Sequence, residues 1–237
     1  MGSIGSNLQE VKRRMAAACD SACRPANSVT LLAVSKTFGA DAVRQALECG
    51  QLAFGENYVQ EALAKIDALA DVRAQMQWHF IGPLQSNKTR AVAEAFDWVH
   101  SVDKLKTAQR LAAQRPAGLP PLNLCLQVNI SGEASKGGVA PSDLPALAQA
   151  VAALPRERVR LRGLMAIPEA ATGEAAQRAP HHALRLLQSA LQAAGLELDT
   201  LSMGMSDDLE AAVAEGATLV RVGSAIFGPR AGPDPGR

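Results

Sequence analysis

Short apolar segments alternate with segments of helical apolar spacing eight times along the chain, and this alternation limits the fold more than any other feature. Each apolar segment is short and bounded by glycine, asparagine or other polar residues, which is typical of a strand buried on both faces. Strands that alternate with helices form parallel sheets. The predicted strands cover residues 31–36, 52–54, 77–81, 98–100, 122–130, 159–167, 200–203 and 218–222.

Eight strand–helix units in 237 residues predict a single (β/α)8 TIM barrel, because such barrels typically contain about 250 residues. The alternative is a doubly wound open sheet, but no GxGxxG motif follows the first strand, and the number of units favours closure. We expect one α/β domain over residues 1–237. It should carry an extra N-terminal helix at about 7–24 and a disordered, Pro/Gly-rich tail at about 229–237.

Composition and cysteine spacing narrow the class of protein. A net charge of +1 and an aromatic content of 3% give no basis for a nucleic-acid or membrane partner. The four cysteines (Cys19, Cys23, Cys49 and Cys125) lack the spacing of zinc or redox sites, so we expect a reducing, cytoplasmic location. The sequence contains no apolar run of membrane-spanning length.

The first predicted strand ends in a lysine, Lys36. Side chains alternate along a strand, so Lys36 should share a face with Leu32 and Val34. Lysine is almost never fully buried without a partner, and two interpretations follow. The side chain either extends to water at the end of the strand, or it is a desolvated amine that forms a Schiff base with an aldehyde.

The last two predicted strands end in groups suited to an anion. In TIM barrels the active site lies at the carboxyl ends of the strands, and phosphate commonly binds after strands seven and eight. Ser206 follows the seventh strand, and Gly223 and Ser224 follow the eighth. Because glycine allows close backbone approach and amides at helix starts bind anions, these residues are candidates for a phosphate site. Alternatively, Ser206 only caps a helix and Gly223 only supports a turn.

Other polar residues have two interpretations each. If Arg221 in the eighth strand points into the barrel, it needs an anion or another acceptor there, whereas a bulge would place it on the surface. Asn57 either caps the helix after the second strand or reaches the pocket. His79 is more typical of a hydrogen-bonded core or pocket-wall histidine than of a base. His100 and the pair at 181–182 lack metal-ligand spacing, so we interpret them as structural or solvent-exposed.

Five segments carry motifs that occur together in one protein family. They are LAVSKT (32–37), FGENYVQE (54–61), HFIGPLQSNK (79–88), SMGMS (202–206) and VRVGSAIFG (220–228). In this order, and over nearly the whole chain, they resemble the pyridoxal phosphate homeostasis proteins, the YggS/PROSC family. The resemblance implies a fold-type III pyridoxal phosphate barrel, similar to the N-terminal domain of alanine racemase. Its implied cofactor-binding residues are the Schiff-base lysine Lys36, the pocket residue Asn57, the pyridine-nitrogen partner Arg221, and the phosphate-site residues Ser206, Gly223 and Ser224.

The family is not credited with an established turnover reaction, so the resemblance implies a role in vitamin B6 homeostasis. We predict a monomeric, non-catalytic protein that binds pyridoxal 5′-phosphate and hands it to apo-enzymes. An arginine at the pyridine nitrogen leaves the ring a poorer electron sink than a carboxylate does. Alanine racemase also takes a tyrosine from a second domain, whereas the one tyrosine here is Tyr58. Two alternatives stay open: an amino-acid racemase or lyase of fold type III, and a sugar-phosphate enzyme whose substrate forms an imine with Lys36.

Overall fold

A closed parallel barrel forms the centre of the molecule in the computed structural model, which describes residues 2–132 and 137–229. The eight strands in these ranges lie in sequence order, and the first strand pairs with both the second and the eighth. This closure confirms the predicted TIM barrel and excludes the open sheet. The strands are β1 (Thr30–Val34), β2 (Ala53–Glu56), β3 (Gln77–Phe80), β4 (Trp98–Val102), β5 (Leu122–Gln127), β6 (Val159–Met165), β7 (Thr200–Ser202) and β8 (Leu219–Val222).

Helices surround the barrel and connect its strands. They are α1 (Ile4–Ser21), α2 (Ala40–Glu48), α3 (Val59–Ala68), α4 (Thr89–Ala95), α5 (Leu105–Gln114), α6 (Leu144–Ala152), α7 (Glu174–Ala193), α8 (Leu209–Ala214) and α9 (Ser224–Phe227). Short 3-10 turns lie at Ala26–Ser28, Ala70–Gln75 and Ser86–Lys88. None of the helices in the described ranges is long and apolar enough to cross a membrane.

The extra N-terminal helix is present, displaced by about one turn from the predicted 7–24. Helix α1 begins at Ile4 because Ser3 caps it, its Oγ accepting from the backbone N–H of Ser6 at 3.2 Å. Its apolar stripe, which includes Leu8 and Val11, is buried. The stripe packs against α8 and α9, the two helices that follow β7 and β8.

Several predicted boundaries are wrong. Strand β1 ends at Val34, so Lys36 lies in the turn beyond it, and β5 and β6 end three and two residues before the predicted 130 and 167. Helix α7 begins at Glu174 rather than near His181, because residues 174–179 are mostly good helix formers and Pro180 is tolerated inside the helix. Of the predicted disordered tail, only Pro229 lies within the described residues.

The core has two parts. The larger part fills the space between the outer barrel surface and the helices. A smaller apolar cluster comprises Leu32, Val34, Ala53, Ile81 and Leu219. Leu32 and Val34 thus lie in the smaller cluster, whereas Leu31 and Ala33 lie in the larger part of the core, as the predicted alternation of strand faces requires.

Candidate functional site

Lys36 lies at the carboxyl end of β1, in a turn over residues 35–38 that we call the lysine turn. The turn is closed by the N–H of Phe38, which donates to the carbonyl of Ser35 at 3.1 Å. Lys36 itself is half-buried. Strand β1 ends because the last ladder bond runs from the N–H of Ser35 to the carbonyl of Gly55 at 3.0 Å, after which the backbone turns.

A buried ion cluster lies directly beneath the lysine turn. The Nζ of Lys65, on α3, donates to Glu56 Oε1 at 2.6 Å, to Glu61 Oε1 at 2.6 Å and to the carbonyl of Ser35 at 2.7 Å. The Oγ of Ser35 donates to Glu56 Oε1 at 2.6 Å. The N–H of Thr37 donates to Glu61 Oε1 at 2.6 Å. We call Glu56, Glu61 and Lys65 the triad.

Sequence reasoning missed the triad, although one signal was available. Lys65 lies on the buried face of α3 together with Val59 and Ala62, at three-residue spacing. A lysine on an apolar stripe requires a partner. Burial raises the pKa of the Glu56 carboxyl, against the opposing effect of the Lys65 ammonium.

Asn57 lies at the end of β2, next to the lysine turn in the barrel order. It does not cap α3, because the N-cap position is Tyr58 and no side chain caps that helix. Its Oδ1 is buried and has no hydrogen-bond partner within the described chain. The backbone of Asn57 also packs tightly against Gly82, where a Cβ would lie 2.1 Å from the Asn57 carbonyl oxygen. Asn57 is therefore a fixed polar group with an unused acceptor.

The loop after β7 contains the predicted phosphate residue Ser206, which is half-buried. The cap interpretation of Ser206 is wrong, because α8 has Asp208 at its N-cap position. Asp208 Oδ1 accepts from the N–H of Met205 at 2.6 Å, and Asp208 Oδ2 contacts His181 Nε2 at 2.9 Å. The loop joins the end of β8 through the N–H of Arg221, which donates to the carbonyl of Gly204 at 3.0 Å.

The turn after β8 lies against the end of β1. A Cβ at Gly223 would lie 3.2 Å from the carbonyl oxygen of Val34, so this close approach favours glycine. Ser224 is the exposed first residue of α9. We call Ser206, Gly223 and Ser224 the phosphate corner. Strand pairing places this corner beside the lysine turn.

Helix α1 supports the phosphate corner from behind, which the sequence did not suggest. One guanidinium nitrogen of Arg14 donates to the carbonyl of Ser206 at 3.0 Å, and Arg14 forms an ion pair with Glu210 at 2.9 Å. Asn7 Nδ2 donates to the carbonyl of Ile226 in α9 at 2.9 Å. Both loops of the corner therefore depend on contacts from the first helix of the chain.

Arg221 is buried and belongs to a chain of polar side chains that connects β3, β4, β7 and β8. It donates to Ser202 Oγ at 2.8 Å and to the carbonyl of Ala166 at 2.8 Å. Ser202 Oγ lies 2.8 Å from His100 Nδ1, and His100 Nε2 lies 2.9 Å from His79 Nδ1. We call His79, His100, Ser202 and Arg221 the interior network. The prediction that Arg221 points inward to an acceptor is confirmed, and the surface alternative is wrong.

Burial sets the charges of the interior network. It lowers the pKa of Arg221 to about 10, so the guanidinium keeps its charge at neutral pH. It lowers the pKa of His79 to about 3. Burial, with His79 and Arg221 nearby, also lowers the pKa of His100 well below its ordinary value. Both imidazoles are therefore neutral at neutral pH. The burial of His79, its contact with His100 and its stacking on Trp98, with ring centroids 5.3 Å apart, confirm it as a hydrogen-bonded interior histidine.

The pair at 181–182 has structural contacts. His181 is buried against Asp208, and the exposed His182 contacts Glu215 Oε2 at 2.8 Å. No group of three or more His, Cys, Asp or Glu residues in the described ranges could hold a metal ion. The polar groups brought together at the ends of β1, β2, β7 and β8 include Lys36, the Asn57 amide, Arg221 and the hydroxyls of Ser206 and Ser224.

Comparisons with known proteins agree with this geometry. The family described as alanine racemase, N-terminal domain, matches residues 6–231. The chain is 61% identical to a pyridoxal phosphate homeostasis protein of Pseudomonas aeruginosa, over 97% of each chain. It is 50% identical to the protein of the same name from Escherichia coli K12, over 97% of this chain and 98% of the other. The solved structure of PipY from Synechococcus elongatus with PLP bound superposes with a TM-score of 0.81 at 40% identity, over 95% of this chain and 100% of that one.

Proposed function

Because the chain belongs to the family of pyridoxal phosphate homeostasis proteins, we propose that it binds pyridoxal 5′-phosphate at the mouth of its barrel, as a Schiff base on Lys36. We propose further that it releases the cofactor to apo-enzymes without turning over a substrate itself. One observation carries the proposal: the lysine turn, the phosphate corner and the buried Arg221 lie together at the carboxyl ends of β1, β7 and β8. The PLP-bound structure of the relative PipY supports the choice of cofactor.

The residues at the mouth fit this cofactor. Asn57 Oδ1 is a buried acceptor without a partner among the described residues, and a polar ring substituent of the cofactor would supply one. The hydroxyls of Ser206 and Ser224 would donate to the phosphate, where Gly223 permits close backbone approach.

The cofactor supplies an aldehyde carbon, to which a primary amine adds. Lys36 in its neutral form provides that amine: its Nζ bonds to the carbon, a C=N bond forms, and the aldehyde oxygen leaves as water. Because the exchange is reversible, an amine of another protein can replace Lys36 in the same bond. This reversibility supports storage and transfer of the cofactor.

Arg221 supports the absence of turnover. Its two hydrogen-bond acceptors, Ser202 Oγ and the carbonyl of Ala166, are both neutral, and burial lowers its pKa only to about 10. Opposite the ring nitrogen, Arg221 would therefore be a fixed cationic donor that leaves this nitrogen unprotonated. A ring in that state is a weaker electron sink. Tyr58 carries a phenol that could act as an acid, but its side chain is exposed to solvent and is therefore not held in place as a general acid would be.

Peptide mapping tests the position of the covalent bond. We expect borohydride reduction of the pyridoxal phosphate-loaded protein to place a pyridoxyl group on Lys36. The comparison lysines are Lys88, Lys104 and Lys106, which follow β3 and β4 near the same end of the barrel. A pyridoxyl group found mainly on one of these lysines, or on the buried Lys65, would contradict the assignment.

Turnover separates the carrier from the alternative functions. The loaded protein should reactivate an apo-enzyme that depends on pyridoxal phosphate, while racemase and decarboxylase rates stay near background, because loss of a positioned acid or base typically costs about 10²–10⁴-fold in rate. Robust turnover of any amino acid that requires Lys36 would promote the racemase or lyase alternative. If the protein binds no pyridoxal phosphate but forms a reducible adduct with a sugar phosphate, the sugar-phosphate enzyme alternative is favoured.

Location and assembly complete the proposal. The cysteines in the described chain (Cys19, Cys23, Cys49 and Cys125) are free thiols, which supports a reducing compartment such as the cytoplasm. We expect the protein to be a monomer, and the molar mass of the purified chain from light scattering tests this.

A further inference from the structure

We propose that the triad of Lys65, Glu56 and Glu61 is a positioning cluster that fixes the backbone on both sides of Lys36, so that the Lys36 amine is presented to the cofactor aldehyde. The inference rests on the proposed function and assigns a role to a buried ion cluster that cofactor binding alone does not explain. Its effect is confined to the covalent bond, so it can be separated from binding of the phosphate.

The triad contacts the peptide groups directly before and after Lys36. Lys65 Nζ holds the carbonyl of Ser35 at 2.7 Å, and Glu61 Oε1 holds the N–H of Thr37 at 2.6 Å. Glu56 Oε1 holds the hydroxyl of Ser35 at 2.6 Å. Two bonds from one cluster thus fix the backbone on either side of Lys36, and a third fixes the side chain of the residue before it.

Burial indicates that the triad is more than a surface ion pair. Lys65 is 4% exposed and Glu56 is fully buried. Taking a lysine and a carboxylate out of water carries a large desolvation cost, and an apolar pair would fill the same space without that cost. An ammonium has three N–H donors, and an apolar side chain could not supply the one that reaches the Ser35 carbonyl. The geometry of the lysine turn accounts for the presence of charge here.

The backbone of Thr37 also requires an external restraint. Its φ is 70°, in the left-handed region, where a β-branched residue is an outlier. Such a conformation persists only where surrounding contacts enforce it. The bond from the Thr37 N–H to Glu61 is such a contact, and without it the turn can relax to an ordinary conformation that changes the direction of Lys36.

Two ligands that differ at one carbon separate positioning from pocket structure. Pyridoxal 5′-phosphate has the aldehyde that bonds to Lys36, whereas pyridoxine 5′-phosphate has the same ring and phosphate with an alcohol there. The phosphate corner and Arg221 would contact both ligands. If Lys36 points in the wrong direction, only the affinity for the aldehyde ligand, pyridoxal 5′-phosphate, should fall.

The experiment measures the affinity of the purified full-length protein for both ligands. In the double variant Lys65→Met/Glu56→Gln, the two most buried members of the triad are neutral, and the remaining carboxylate, Glu61, is 30% exposed. We expect it to bind pyridoxal 5′-phosphate about ten- to a hundredfold more weakly, the scale of loss from a misplaced reacting group, with pyridoxine 5′-phosphate within about twofold of wild type. Lys12→Met, an exposed lysine on α1, is the matched control and should change neither affinity.

Glu61 provides a second test at a less buried position of the triad, since its side chain is 30% exposed. Glu61→Gln keeps an oxygen that can accept from the Thr37 N–H and should retain pyridoxal 5′-phosphate affinity, whereas Glu61→Ala should lose it. Equal affinities in this matched pair, or equal losses for both ligands in any folded variant, overturn the inference. If wild-type protein binds pyridoxine 5′-phosphate but never forms a reducible adduct with the aldehyde, the proposed function fails first, and the inference falls with it.

Discussion

Replacement of His79 by phenylalanine should change how the stability of the apoprotein depends on pH. His79 is 2% exposed, stacks on Trp98 and contacts His100 Nε2 at 2.9 Å. Phenylalanine keeps a flat ring against Trp98 but leaves that nitrogen of His100 without its partner. The loss of a buried hydrogen bond should cost about 1–3 kcal/mol near neutral pH.

The pKa of His79 gives the magnitude of the pH effect. Burial lowers this pKa from 6.5 in the unfolded chain to about 3 in the folded protein. The contribution of neutral His79 to the free energy of unfolding is therefore complete above pH 6.5. It is lost as the pH falls towards 3, because only the unfolded chain takes up the proton on His79 in that interval. The loss is about 1.4 kcal/mol per pH unit, or about 2 kcal/mol at about pH 5. His79→Phe removes this part of the acid sensitivity.

Denaturant unfolding of both proteins at a series of pH values measures the effect. We expect the variant to be less stable near neutrality and to approach or reach wild-type stability at about pH 5, so that the two curves converge by about 2 kcal/mol. The interval above the ordinary histidine pKa is the internal control, since the difference should be constant there. Parallel curves across the whole range would show that His79 is not a buried neutral imidazole.

Three further predictions follow from the same contacts. Ser206→Ala combined with Ser224→Ala should weaken pyridoxal 5′-phosphate binding by about 1.5 kcal/mol per hydroxyl and leave pyridoxal nearly unchanged, as calorimetry would measure; equal losses would place the phosphate elsewhere. Arg14→Met should lower affinity for pyridoxine 5′-phosphate about fivefold, the equivalent of about one hydrogen bond, without changing the barrel's circular dichroism; unchanged affinity would show that α1 does not support the corner. Thr37→Asn should raise the free energy of unfolding by about 0.5–1 kcal/mol, because asparagine tolerates the left-handed backbone; a loss of stability would contradict the strain at this position.

The fold could be predicted because the alternation of apolar and helical segments reports burial directly. The placement of Lys36 at the carboxyl end of the first strand followed from its position at the end of an apolar run, and the inward direction of Arg221 followed from strand parity. Strand ends were less accurate, since β1 stops at Val34 where the ladder bond from Ser35 ends, and no single residue marks that point.

The contacts between distant residues could not be predicted. His79 pairs in register with Trp98, and its hydrogen bond is to His100 two residues further along β4, a consequence of the stagger between strands. Glu61 and Lys65 have the i,i+4 spacing of an ordinary solvent-exposed helix pair. They differ from such a pair because Lys65 also contacts Glu56 at the end of β2, and this contact forms only in the folded barrel.

The support of the phosphate corner by α1 has a consequence for biosynthesis. Asn7, Arg14 and the strand before Lys36 are synthesised before Arg221 and Gly223, which belong to the last strand of the barrel and the turn after it. Since β8 must pair with β1 before the barrel closes, a nascent chain contains Lys36 before the neighbouring strand β8 is available to complete the site. The cofactor binding that we propose at this site therefore requires the completed barrel, because α1 can contact the loops after β7 and β8 only when those last strands are in place.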